Sequence, residues 1–178
     1  MNAASQPLPD VMDLPPRTEW PDPLTMLDGT PVSNPGAWFE ARRPELERLF
    51  QHYMYGYFPP PPENVEASPL FEDASYLGGK ATLKEVRLRF GPAGTPPIYL
   101  LVATPNGLGG PAPVFLGLNF CGNHALVASE QVALPQVWMP DHCGGCEDHR
   151  ASEAGRGSRP GRYPVEDAVA RGYAVATF

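Results

Sequence analysis

The segment from 164 to 178 constrains this chain most, because it reads as a short helix feeding directly into an apolar strand. Pro164 opens the first turn, Glu166 and Asp167 sit at its positive end, Arg171 closes it and Gly172 lies just past it. Tyr173-Ala174-Val175-Ala176-Thr177-Phe178 then forms a β run. With the apolar run Val114 to Asn119 and a long loop before it, the order is strand, loop, helix, strand: a βαβ crossover, which predicts a parallel pair. A parallel sheet normally hides both faces and its edges, yet nothing in this sequence follows the last run to cover it. The expectation is an unfinished sheet with 173–178 at its open edge, completed by a missing C-terminal segment or a partner chain.

Two further runs belong to the same sheet. Between Leu83 and Phe90, Val86, Leu88 and Phe90 alternate with Glu85, Arg87 and Arg89, the period of a strand with one wet face. Ile98 to Thr104, like Val114 to Asn119, is apolar on both faces, as in a covered central strand. Gly107 to Pro111 is a turn between them.

Proline shapes the first third. Pro at 7, 9, 15, 16, 21, 23 and 31 predicts that residues 1–33 form an extended arm along a surface, leaving 34–178 as the domain. Ser33-Asn34-Pro35 offers a helix cap and a first-turn Pro, and the apolar spacing that follows predicts a helix over 35–56, kinked or split by Pro44. Gly56 and Pro59 to Pro62 stop it. At helical spacing Trp38, Tyr53, Tyr55 and Tyr57 read as core, although exposed rings would stack on sugars; His52, without metal-spaced partners, reads as a surface residue. Pro and Gly approach a quarter of the chain, but 42% hydrophobic and 10% aromatic residues argue for one globular domain over disorder.

A net charge of −7 with no basic cluster interleaved with aromatics argues against nucleic acid as a partner. No apolar stretch is long enough to span a bilayer, and MNAASQPLPD lacks the basic start and apolar core of a signal peptide, so as given the chain reads as cytoplasmic; a start further upstream would allow export. Three cysteines, Cys121, Cys143 and Cys146, cannot all pair. Asp141 to His149 carries Cys143-Gly144-Gly145-Cys146 flanked by His142 and His149, a cramped set for zinc, and the preferred reading is a loop without metal.

Three segments, NPGAWFEARRPELERLFQHYMYGYFPPPP, PVFLGLNFCGNHALV and RGSRPGRYPVEDAVARGYAVATF, together resemble the N-terminal half of carbohydrate esterases of the glucuronoyl esterase and acetylxylan-esterase-like type. The resemblance runs from about Pro31 to the end. It implies the N-terminal part of an α/β-hydrolase sheet in three α/β/α layers, and a serine nucleophile with an imidazole base, an orienting acid and an oxyanion hole, acting without a cofactor on ester-decorated plant cell-wall carbohydrate. No Gly-x-Ser-x-Gly occurs here and no Ser directly follows an apolar strand, so the nucleophile is expected outside this chain, which alone would be inactive.

Within that resemblance, Asn119, Phe120, Cys121, Gly122 and Asn123 follow a buried strand where one oxyanion-hole amide arises; the plainer reading is a tight turn at Gly122 and Asn123 capped by Asn119. His124 and Arg162 are the substrate-binding candidates, set against a structural hydrogen-bonding role for His124 and, for Arg156, Arg159 and Arg162, anchoring to acids such as Glu153 or Glu166. The rival functions are a non-catalytic zinc- or carbohydrate-binding module and a truncated product that folds poorly.

Overall fold

The computed structural model describes residues 7–178, so the first six positions of the expected arm lie outside the described residues. Two compact units divide at Pro61 and Pro62.

In the first unit, the arm shares its packing with the helix that follows. Buried Arg42 donates through Nε to the Pro23 carbonyl at 2.9 Å and pairs with Glu45, whose carboxylate also accepts from the Leu27 amide. The Asn34 side chain caps the helix by accepting from the Ala37 amide at 2.9 Å. The helical run 35–55 (α1) is interrupted twice by wider π turns, Trp38–Arg42 and Gln51–Tyr55, around the α-helical Arg43–Phe50. Pro44 explains the first interruption: it lacks the N–H and crowds the preceding turn, so the Arg43 amide reaches back five residues to the Trp38 carbonyl. Gly56, at φ 75°, ends the run. The aromatic stripe does not form a core here. Tyr55 and Tyr57 are exposed and Trp38 and Tyr53 half-buried; the Tyr53 hydroxyl donates to the Pro9 carbonyl.

The second unit is built on a five-stranded mixed sheet: β1 (Val65–Asp73), β2 (Ala81–Phe90), β3 (Ile98–Pro105), β4 (Val114–Gly117) and a late strand, Ala174–Thr177. A small hairpin, β5 (Cys146–Glu147) with β6 (Arg150–Ala151), comes before the helix α2 (Val165–Ala170), so the late strand is β7. The order across the sheet is β1-β2-β3-β7-β4, with β7 antiparallel to β3 and parallel to β4. The expected parallel crossover is therefore present.

Its position differs from expectation. β7 is not the open edge: all four of its residues are buried between two strands, because the crossover carries the chain back over β4 to the unpaired backbone of Leu101–Ala103 in β3. The edge is β4. Val114, Phe115 and Leu116, read from sequence as covered on both faces, are 54%, 59% and 65% exposed.

β2 departs similarly. Its buried side holds Ala81, Leu83 and Glu85, the parity that the alternation assigned to water, while Val86, Leu88 and Phe90 are half-buried. The core gathers Ala81 and Leu83 of β2, Leu101 and Ala103 of β3, Val175 of β7, Leu126, Val127 and Val132 of the loop, and Val165 and Val169 of α2. Burying a side chain such as Leu83 contributes about 2 kcal/mol. No helix among the described residues is long and apolar enough to cross a membrane.

Candidate functional site

The two parallel strands end at the same place. β4 runs into Asn119 and Phe120, β7 runs into Phe178, and the Asn119 amide donates to the Phe178 carbonyl at 2.8 Å. Beyond these ends lies a cavity of about 560 Å³. It is walled on one side by Asn119, Phe120, Gly122 and Asn123 and on another by the 133–139 segment, with Tyr99 and Phe178 between. In sheets with parallel strands, ligands commonly bind in crevices beyond the carboxyl ends of those strands, and β4 and β7 are the parallel pair here.

The loop after β4 is the capped turn that its sequence allows. Asn119 Oδ1 accepts from the Cys121 amide at 3.2 Å, its carbonyl accepts from the Gly122 amide at 3.3 Å, and its Nδ2 donates to the Gly122 carbonyl at 2.7 Å. Gly122 adopts φ 77°, and a Cβ there would meet Pro135 at 2.9 Å. Cys121 and Gly122 thus commit their amides to Asn119.

Asn123 is a structural knot. Its Nδ2 donates to the Tyr99 carbonyl at 2.7 Å and to Glu85 Oε1 at 3.3 Å, while its Oδ1 accepts from the Thr177 hydroxyl at 2.9 Å. The second Glu85 oxygen accepts from the Ala133 amide at 3.0 Å. These contacts explain how a carboxylate is tolerated at 1% exposure on the core side of β2: it is hydrogen-bonded at both oxygens.

His124 neither lines the cavity nor makes the hydrogen bonds expected of it. Its ring is wholly buried, and among the described residues neither nitrogen has a hydrogen-bond partner. It is wedged between glycines: a Cβ on Gly122 would lie 3.0 Å from Nδ1, and one on Gly155 2.8 Å from Nε2. Burial pushes its pKa below the usual imidazole value, the Arg156 charge adds to this, and Glu153 opposes it. Arg162 is exposed, does not line the cavity, and its guanidinium lies 5.9 Å over the Tyr163 ring.

The long loop is fixed by arginines and by a disulfide. Arg156 pairs with Glu153, as anchoring predicts, and donates to the carbonyls of Ser129 and Val132. Arg159 donates to the His142 carbonyl at 2.8 Å, so its anchor is backbone rather than an acid. Cys121 and Cys143 are joined, with Cα atoms 5.4 Å apart, and Cys146 is free. The sequence spacing drew attention to Cys143 and Cys146, whereas the partner lies 22 residues away in the loop after β4. The Cys121 and Cys143 sulfurs and a His142 ring nitrogen lie within 4.8 Å of one another, but sulfurs bonded to each other offer no thiolate to a metal. His149 instead pairs with Asp141 at 2.8 Å and stacks on Trp138.

No protein-family model matches the chain. It is 39% identical over 168 residues to the carbohydrate esterase MZ0003 of an unknown prokaryotic organism, covering 92% of this chain and 38% of that protein. Among solved structures, it resembles a promiscuous CE15 esterase from a marine bacterial metagenome, with TM-score 0.79, 37% identity, and 91% of this chain matched to 41% of the other. A glucuronoyl esterase from Solibacter usitatus gives TM-score 0.78 and 32% identity, with coverage of 91% and 41%. The chain therefore spans about two-fifths of the length of these relatives, and over that span it has their α/β-hydrolase fold.

Proposed function

We propose that this chain, similar over nearly all its length to two-fifths of glucuronoyl-type carbohydrate esterases, is the N-terminal portion of a carboxylic-ester hydrolase of that kind. In this reading it supplies a wall of the substrate site, while the serine nucleophile and its acid and base come from residues beyond it. The observation that carries the reading is the cavity at the carboxyl ends of β4 and β7, lined by Asn119, Phe120, Gly122 and Asn123. The absence of a Gly-x-Ser-x-Gly motif from the sequence supports placing the nucleophile elsewhere. The open β4 edge, with Val114, Phe115 and Leu116 exposed, is where the remainder of the sheet would add.

With Cys121 and Gly122 turned toward Asn119, the Phe120 amide is the loop's candidate donor to a developing oxyanion. Asn123 and His124 serve the scaffold in this reading, and Arg162 has no substrate role. The substrate is a carbohydrate ester of the glucuronoyl class. The Cys121–Cys143 bond favours an oxidising compartment, and with it export, over the cytoplasmic reading of the bare sequence.

The test is hydrolysis of a methyl ester of 4-O-methylglucuronate by this chain and by a protein that continues past Phe178. The expected result is no turnover by the chain and saturable, serine-dependent turnover by the longer protein. Saturable turnover by the 178-residue chain, or none by the longer protein on any glucuronoyl ester, overturns the reading.

A further inference from the structure

The Cys121–Cys143 bond links two walls of the cavity: Cys121 lies between the lining residues Phe120 and Gly122, and Cys143 follows closely on the lining residues Trp138 and Met139. Both bonded cysteines are nearly inaccessible, at 2% and 3% exposure. The free Cys146 packs against the same cluster, formed by Cys121, Ala125, Met139 and Cys143. It is also joined to Cys143 by a tight turn, since the Cys146 amide donates to the Cys143 carbonyl at 3.1 Å. A turn of that kind holds its end Cα atoms within about 7 Å, overlapping the separations that disulfides span. The turn thus places a second cysteine beside the bonded Cys143.

We infer that Cys146 is an attacking thiol that exchanges the Cys121–Cys143 disulfide for a Cys143–Cys146 disulfide, releasing the loop after β4. The Cys146 thiolate attacks Cys143 Sγ, the Cys121–Cys143 bond breaks, and its electron pair leaves on Cys121 Sγ, which takes up the proton that Cys146 gave up. The number of disulfides is unchanged, so neither oxidant nor reductant is consumed. The burial of the bond slows attack by thiols in solution, whereas Cys146 already packs against the cluster that holds it, at high effective concentration. In the starting state the Cys146 thiol faces the Met139 carbonyl at 3.7 Å, so exchange trades this weak contact for a covalent bond across the turn. The product leaves the Asn119–Asn123 wall without its covalent tie to the 139–146 segment. This inference does not depend on the esterase reading.

Cleavage after glutamate tests it, because Glu130 and Glu147 separate Cys121 from the peptide that carries both Cys143 and Cys146. The intact chain is incubated without reductant at a series of pH values, its free thiols are alkylated, and it is digested without reduction. The expected result is a progressive loss of the cross-link between the two peptides during incubation, with alkylation moving from Cys146 to Cys121. The variant Cys146→Ser should keep the peptides linked throughout. Peptides linked at every pH with Cys146 alone alkylated overturn the inference, as does equal unlinking in Cys146→Ser.

Discussion

The hydroxyl of Thr177 donates to Asn123 Oδ1 at 2.9 Å, tying the end of β7 to the loop that leaves β4. Both residues are buried, at 1% and 6% exposure, and through the other end of the Asn123 amide the contact extends to Glu85 on β2 and the Tyr99 carbonyl on β3.

Asn123→Ala removes three partners at once and leaves the Glu85 carboxylate and the Thr177 hydroxyl short of hydrogen bonds in the interior. The expected cost is about 2–4 kcal/mol. Urea denaturation of variant and parent measures it, and a difference below about 0.5 kcal/mol would show that the network is not holding the loop.

Gly145→Ala tests how the long loop closes. A Cβ at Gly145 would fall 2.1 Å from the Gly155 amide nitrogen, and the backbone there is at φ 67°. Both effects act against the folded state, for an expected loss of about 3 kcal/mol or more. Gly109→Ala, where a Cβ meets nothing within 4 Å, is the control and should change stability by less than about 0.5 kcal/mol.

His124 predicts a loss of stability in mild acid. Its folded pKa lies below the unfolded one because burial and the nearby Arg156 disfavour the charged ring. The unfolded chain therefore binds the proton first, and the stability held above the unfolded value near 6.5 drains away as pH falls below it toward the folded value. Denaturation midpoints between pH 7.5 and 5 should fall in the parent and fall less steeply in His124→Leu. Equal slopes in the two proteins would remove His124 as the cause.

The open β4 edge predicts self-association of the chain by itself. Val114, Phe115 and Leu116 stand exposed on a strand that, among the described residues, has a neighbour on one side only. Leu116→Lys should shift sedimentation toward monomer at concentrations where the parent associates, with little change in stability.

Local signals in the sequence were reliable where one segment decides its own conformation. Asn34 and Pro35 start the first helix, Gly56 ends it, and the crossover from Val114 to Thr177 is parallel as its order implies. The misreadings share a cause, which is that distant partners decide burial. Glu85 looked solvated because Asn123 and the Ala133 amide, which satisfy it, are far along the chain. Spacing alone sets Cys143 against its neighbour Cys146 and carries no sign of Cys121. The Asn119 cap was legible from Asn and Gly side by side, but His124 without hydrogen bonds was not: its isolation comes from Gly155, which only the folded loop brings near.

The place of β7 between β3 and β4 also governs how the molecule is made. During synthesis β4 emerges well before β7, yet it contacts β3 only across that later strand. Until residue 177 has left the ribosome, the apolar residues of β4 have no berth in the sheet and must wait in a loosely held nascent chain. Long-range closure of this kind makes for slow folding, with β4 left unpaired until the last strand arrives.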